Sequence, residues 1–217
     1  MDEREIVKVI GGAYKGRNIS YPRGAVNLRP TSALVRKAVF DMVGSMPDGL
    51  GAIEGSEVVD LYAGTGMLGI EAISRGAGRV TFVESNRRAV ASIKRNLDDL
   101  GIPAGKYGIV HSEVGRFLRG SADSEVGSGS IFDIAFIDAP YDLVYSMPDV
   151  YSGDPRDVKD PGEKHATVIG GNVLVRLQAS LAVIETRPGD YIIPSGWEVI
   201  KQRRYGGTMV TVLRGWH

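Results

Sequence analysis

"EVVDLYAGTGMLGIEAIS", residues 57–74, is the stretch that decides the fold. Its apolar opening predicts a strand over 57–63, and "MLGIEAISRGA" predicts a helix over 67–77. Between them lie Gly64, Gly66 and Gly69. A buried strand that enters a glycine-rich turn and then a helix is the opening unit of a parallel α/β sheet. Glycines let the backbone turn sharply and let a ligand approach closely. The spacing alone is shared by structural turns and several cofactor classes.

Outward from this unit the alternation continues. Strands are expected at 79–85, 107–113 and 132–138, with helices at 87–101 and near 114–119. Apolar runs joined by helices indicate a parallel sheet covered on both faces. Further strands are expected at 180–186, 198–206 and 208–215, the last two forming a hairpin. Upstream, 6–22 reads as two short strands around a Gly-Gly turn. Residues 29–44 read as a helix capped by Thr31 or Ser32, with an apolar face of Leu34, Val35, Ala38, Val39 and Met42. Turn-rich 46–57 links the front to the rest, so the chain divides into 1–45 and 46–217. Residues 120–130 read as a flexible loop. Residues 142–165 form a long polar segment rich in Pro and Asp, of the kind that is functional or disordered.

Two acids give the glycine loop a meaning. Glu84 ends the second strand of the unit, 20 residues beyond Gly64, where a carboxylate can accept both ribose hydroxyls of a nucleoside. Asp60 precedes the glycines and suits a cationic ligand better than a pyrophosphate, which favours S-adenosylmethionine over NAD. Asp138 ends the fourth strand in "FDIAFIDAPYD" (132–142). A planar amine on a base is a poor nucleophile because its lone pair is delocalised. A carboxylate and a backbone carbonyl can accept its N–H bonds, localise that pair and stabilise the charge forming on nitrogen. Pro140 stiffens the turn, and Tyr141 offers a face on which an extruded base can stack. The pattern points to methyl transfer to an exocyclic amine. On these residues alone the acceptor stays open between adenine, guanine and a protein glutamine, and a strand-ending turn is the structural alternative.

Composition agrees and excludes other classes. The 217 residues are 43% hydrophobic and 24% charged, with no cysteine, so disulfides and thiolate metal sites are excluded. No apolar run approaches a membrane span, and the acidic "MDEREIVKVI" lacks a signal-peptide layout, so a cytoplasmic location is expected. His111, His165 and His217 show no metal-ligand spacing, and no metal is expected. No long apolar helix face is left over for a partner, which points to a monomer. The formal net charge is zero but uneven: residues 41–200 carry 14 bases and 23 acids, while the last 17 carry four bases and no acid. Within 13–37, Lys15, Arg17, Arg23, Arg29, Arg36 and Lys37 occur without an acid. Phosphate contact is the plain reading, although Arg36 and Lys37 also fit a solvated helix face. Arg203 and Arg204 fit RNA contact or structural surface equally.

The stretches "VIGGAYKGRNI", "LRPTSALVRKAVFDMV", "DLYAGTGMLGIEAISRGA", "VTFVESNRRAVASIKRNL", "FDIAFIDAPYD" and "RRYGGTMVTVLR" resemble the bacterial small-subunit ribosomal RNA guanine-N2 methyltransferases, the RsmD-like family. The resemblance implies a Rossmann-like class I methyltransferase: a mostly parallel seven-stranded sheet with helices on both faces and a small N-terminal hairpin-plus-helix extension. It implies S-adenosylmethionine as cofactor and one guanine of 16S rRNA, within the small subunit or its assembly intermediate, as target. The implied cofactor set is Asp60, Tyr62, Ala63, Gly64, Thr65, Gly66, Leu68, Glu84, Ser85, Ser112, Glu113 and Asp138. The implied catalytic set is Asp138, Ala139, Pro140 and Tyr141. Lys15, Arg17, Arg29, Arg36 and Lys37 are the expected RNA contacts. The family pattern is Asp or Asn, then Pro-Pro, then Tyr or Phe; here Ala139 stands at the first proline. Alanine keeps the carbonyl but loses a fixed backbone angle, so a catalytically weak RNA-binding assembly factor is the alternative of a different class.

Overall fold

The computed structural model describes residues 4–22, 32–120, 132–139, 173–174, 177–188, 193 and 195–216. The expected alternation is present. A two-stranded antiparallel ribbon pairs β1 (Arg4–Lys8) with β2 (Asn18–Pro22). Helix α1 (Ala33–Gly44) follows, its first turn capped by Ser32, whose side chain accepts from Val35 N. Then come β3 (Glu57–Leu61), α2 (Met67–Ser74), β4 (Arg79–Glu84), α3 (Arg87–Leu100), β5 (Tyr107–His111), α4 (Val114–Arg119) and β6 (Phe132–Ile137). Strands β7 (Ala179–Thr186), β8 (Trp197–Tyr205) and β9 (Thr208–Gly215) complete the sheet.

The seven strands run in the order β5-β4-β3-β6-β7-β9-β8. The first five are parallel, and β9 is antiparallel to both neighbours. The chain passes outward from β3 to β4 and β5, then returns to lay β6 on the other side of β3. This reversal opens a crevice at the carboxyl ends of β3 and β6, the place where open α/β sheets bind ligands. The long polar segment 142–165 lies outside the described residues, as do residues 121–130 of the expected loop.

Side chains alternate between two cores, as strand geometry requires. Val58, Phe82, Ile134, Phe136 and Val183 face the helices α1, α2 and α3. Val59, Leu61, Val83, Ala135, Ile137 and Ile184 face the core that holds α4 and Val173, Leu174 and Leu177. Parallel strands covered on both faces must be apolar on both, hence the unbroken runs in the sequence. Gly69 lies where α2 crosses β4: a Cβ there would sit 2.2 Å from Phe82 Cε1.

The front of the chain departs from expectation in detail. The apolar face of α1 was expected to include Leu34, which is 66% exposed. Arg36 and Phe40 are buried instead. The buried arc is wide because α1 packs on the sheet and under the ribbon at once. Phe40 meets Phe136 at 5.5 Å between ring centroids, and the Arg75 guanidinium lies 4.0 Å over Phe40. The Gly-Gly stretch does more than turn: its backbone docks on α2. Ala13 N donates to Ser74 O (2.6 Å), Tyr14 N to Ser74 Oγ (2.9 Å), and Ser74 Oγ to Gly11 O (2.5 Å). Gly12, at φ 75°, leaves no room for a side chain, because a Cβ would fall 1.7 Å from Ser74 O.

Glu71 holds this junction together. It is fully buried; Oε1 accepts from Ile10 N at 2.7 Å and lies 3.7 Å from Arg36 Nε, while Oε2 pairs with Arg75. Arg36 Nη2 donates in turn to Lys8 O at 3.1 Å. Burial pulls the Arg36 guanidinium below its ordinary value, and Glu71 acts against that pull. Replacing Glu71 by Ala removes the carboxylate that faces two arginines and one backbone N–H. The expected loss of stability is about 3–5 kcal/mol, read as a lower urea midpoint, with amide exchange at Ile10 becoming fast. A midpoint within error of the parent would contradict the role given to Glu71.

Candidate active site at the carboxyl edge of the sheet

Three loops and one strand end meet at the crevice. After β3 the backbone enters the left-handed region at Tyr62 (φ 59°), Gly64 (φ 54°) and Gly66 (φ 76°). Tyr62 is the one described non-glycine residue there, a conformation that costs of order 1–3 kcal/mol and clusters at functional sites. The loop is anchored by Glu84 at the tip of β4. Its Oε2 accepts from Gly64 N at 2.8 Å and its Oε1 from Asn86 N at 2.7 Å. Each carboxylate oxygen has a second lone pair, so these bonds leave acceptor capacity for a ligand hydroxyl. Asn96, buried on α3, steadies the loop from below through Thr65 O (3.5 Å) and reaches Ser20 N of the ribbon (3.0 Å).

The neighbouring tips interlock. Ser112 N donates to Glu84 O at 3.0 Å, and His111 Nε2 donates to Ser85 O at 2.9 Å. Burial pushes the Tyr62 hydroxyl pKa up, and the charge of Glu113 adds to that rise. Ala139 is buried just beyond β6, and Asp138 is half-buried beside it. The structure therefore gathers Asp60, Tyr62, Ala63, Gly64, Thr65, Gly66, Leu68, Glu84, Ser85, Ser112, Glu113, Asp138 and Ala139 along one edge. Leu68 takes part as core packing under the loop. Pro140 and Tyr141 lie outside the described residues.

Asp60 shows the electrostatics of the crevice. It is 2% exposed, and Gly69 N donates to its Oδ2 at 2.9 Å. Burial pushes its carboxyl pKa well above the ordinary carboxylate range. The bond from Gly69 opposes the rise, and the charges of Asp138 and Glu84 add to it. Three carboxylates thus bear on one small region. Such a region repels a pyrophosphate and suits a ligand carrying a positive charge beside ribose hydroxyls.

The basic residues of the front part are not gathered there. Arg36, expected at an RNA surface, is buried to 1% exposure because Glu71 draws it inward. Lys15 and Arg17 are exposed, but they sit by the last turns of α2 and α3, with Arg17 Nη2 on Asp99 O at 3.1 Å. Both helices start at the crevice edge, so their last turns lie at the opposite edge of the sheet. Lys37 is exposed and pairs with Asp41. Arg23, Arg29, His165 and His217 lie outside the described residues. Glu71, Asn96 and Glu185, buried at the end of β7, were not singled out in the sequence. The signal for Glu71 and Glu185 was an isolated charge inside an apolar run; Asn96 carried none.

Comparison with known proteins places this geometry. The family model described as Conserved hypothetical protein 95 matches residues 7–152. The chain belongs to that family. The RsmD-like resemblance read from the motifs is therefore borne out. Ribosomal RNA small subunit methyltransferase D of Haemophilus influenzae is 26% identical over 200 residues, 92% of this chain and 89% of the relative. Its namesake from Escherichia coli is 31% identical over 135 residues, 62% of this chain and 60% of the relative's own length. The Thermus thermophilus 16S rRNA N2 G1207 methyltransferase (RsmC), solved with AdoMet and guanosine, superimposes with a TM-score of 0.59 at 17% identity, over 99% of this chain and 50% of that one. The expected Rossmann-like class I methyltransferase fold is borne out by this likeness and by the seven-stranded sheet. Among the described residues no helix is long and apolar enough to cross a membrane.

The raised pKa of Asp60 has a consequence for stability. An acid whose folded pKa lies above its unfolded 3.8 holds its proton more tightly when folded. Its penalty is absent below that value and grows as pH rises through the folded pKa. Asp60→Asn keeps an acceptor for Gly69 N and removes the charge. The variant is expected to melt higher than the parent at about pH 8, the margin vanishing toward about pH 4. Differential scanning calorimetry across that range checks it; a margin that does not change with pH contradicts it.

Proposed function

We propose that this chain transfers a methyl group from S-adenosylmethionine to the N2 amine of a guanine in 16S rRNA, in the cytoplasm, on the small subunit or an assembly intermediate. The observation that carries the reading is the place of Asp138, just past the end of β6 and across the switch point from the Gly64–Gly66 loop, in a chain of this family. The relatives named above supply the substrate class.

The donor set fits the cofactor: Asp60 and Asp138 suit its positive charge, and Glu84 suits its ribose hydroxyls. S-adenosylmethionine, when bound, supplies a methyl group made electrophilic by its sulfonium. The chain's own work is to prepare the amine. Asp138 accepts one N–H and the Ala139 carbonyl the other, which turns the nitrogen lone pair out of the ring plane. Positive charge that develops on the nitrogen is stabilised by the Asp138 carboxylate, which can take the departing proton. Tyr62, Ala63, Thr65, Gly66 and Leu68 shape the loop, while Ser85, Ser112 and Glu113 line its far side. Pro140 and Tyr141 complete the turn and the stacking face. Residues 1–45 serve as the RNA-contacting extension of a catalytic unit spanning 46–217.

Undermethylated small subunits incubated with labelled donor should gain label, and mass spectrometry should find N2-methylguanosine. Asp138→Ala should lower the transfer rate by roughly 10²–10³-fold, with Asp138→Asn retaining more. Label on adenine or on a protein glutamine would move the acceptor. No label on subunits, intermediates or protein-free RNA would overturn the reading.

A further inference from the structure

We propose that the groove between α1 and β8 is a second RNA contact, holding the strand that flanks the target base. The groove is lined by Leu34, Lys37, Asp41 and Met42 on one side and by Lys201, Arg203 and Tyr205 on the other. This inference rests on the reading of the chain as an rRNA methyltransferase and extends its substrate contact beyond the crevice.

Topology places the groove. Strand β8 is antiparallel to β9, which is antiparallel to β7, so β8 ends at the same edge as the parallel strands. Met209 bridges the two tips, pairing with Thr186 at the end of β7 and with Arg204 near the end of β8. Helix α1 leads through residues 45–56 into the amino end of β3, so its first turn lies at the crevice edge too. Three strand spacings separate β6 from β8, about 14 Å, the reach of a few nucleotides.

Charge names the occupant. The crevice rim is acidic, with Asp60, Glu84, Glu113 and Asp138, and a phosphate backbone is repelled from it. The groove carries three cations against one acid. Lys201 is steered by Ser45 Oγ at 2.7 Å. Among the described residues Lys37 pairs with Asp41, and both side chains are more than half exposed, a pair that solvent weakens. Arg203 is exposed and makes no hydrogen bond or ion pair among the described residues. Leu34, 66% exposed, and the half-buried Tyr205 supply apolar surface between the cations. Cations spaced along a groove with aromatic and aliphatic surface between them track a nucleic-acid backbone.

The test is a Lys37→Ala/Arg203→Ala double variant, with Lys106→Ala at the opposite sheet edge as control. Filter binding to undermethylated small subunits, titrated with salt, should show affinity about tenfold weaker and a log–log salt slope shallower by about 1–2. The KM for subunits should rise with kcat unchanged, and calorimetric affinity for S-adenosylmethionine and the melting temperature should match the parent. An unchanged slope and affinity would overturn the proposal. Weaker binding to subunits with unaltered binding to protein-free 16S rRNA would overturn it in favour of a ribosomal protein. A parent that binds subunits but methylates nothing would sink the function proposed above, while the salt slopes still decide the groove.

Discussion

One buried carboxylate governs how the two parts of this chain meet. Glu71 sits in α2, a helix whose every residue is buried. Its partners come from three directions: the ribbon connector through Ile10 N, α1 through Arg36, and its own helix through Arg75. A buried charge tolerates no slack, because a lost partner leaves it desolvated and unpaired. The arrangement therefore sets the position of α1 and the ribbon relative to the sheet. Since α2 begins in the glycine loop, the same helix that clamps the front also presents Gly66 to the crevice.

At the carboxyl edge of the sheet the logic is reversed. Asp60, Glu84 and Asp138 are placed near one another at a cost to the fold, burial and mutual repulsion holding Asp60 toward its neutral form. A positively charged ligand bound there would relieve that cost. The tension is sustainable because the surrounding backbone is strongly bonded: Glu84 ties β4 to the glycine loop, and Asn96 ties the loop to α3 and the ribbon. Stability concentrated at Glu71 and strain concentrated at the carboxyl edge are complementary. The proposed groove adds the opposite charge at the far end of that same edge, so one rim would attract both a cationic cofactor and a polyanionic substrate, each at its own end.

Much of this was legible in the residues. Apolar runs that lack alternation announced a parallel sheet, the glycines announced a turn at the end of its first strand, and Glu84 and Asp138 were recognisable because acids closing apolar runs are costly without a purpose. Helix ends were legible where local chemistry writes them, as with the Ser32 cap and Gly101, which takes φ 68° after α3. The reading of α1 and its arginine failed for one reason. Helical periodicity reports one packing partner, and α1 has two, so Arg36 was read as surface. Lys15 and Arg17 were assigned by their charge and by their closeness in sequence, and neither reports which edge of the sheet a connector reaches.

The sequence by itself determined the class of fold, the order of its elements and the identity of the acids at the strand ends. Those follow from period and local turn chemistry, which act over a few residues. Only the tertiary structure decided which charges face solvent and which face one another. Glu71 lies 61 residues from Ile10, and Lys201 lies 156 residues from Ser45. Contacts at such separations are settled by the closing of the sheet and the packing of helices across it, and no local pattern records them.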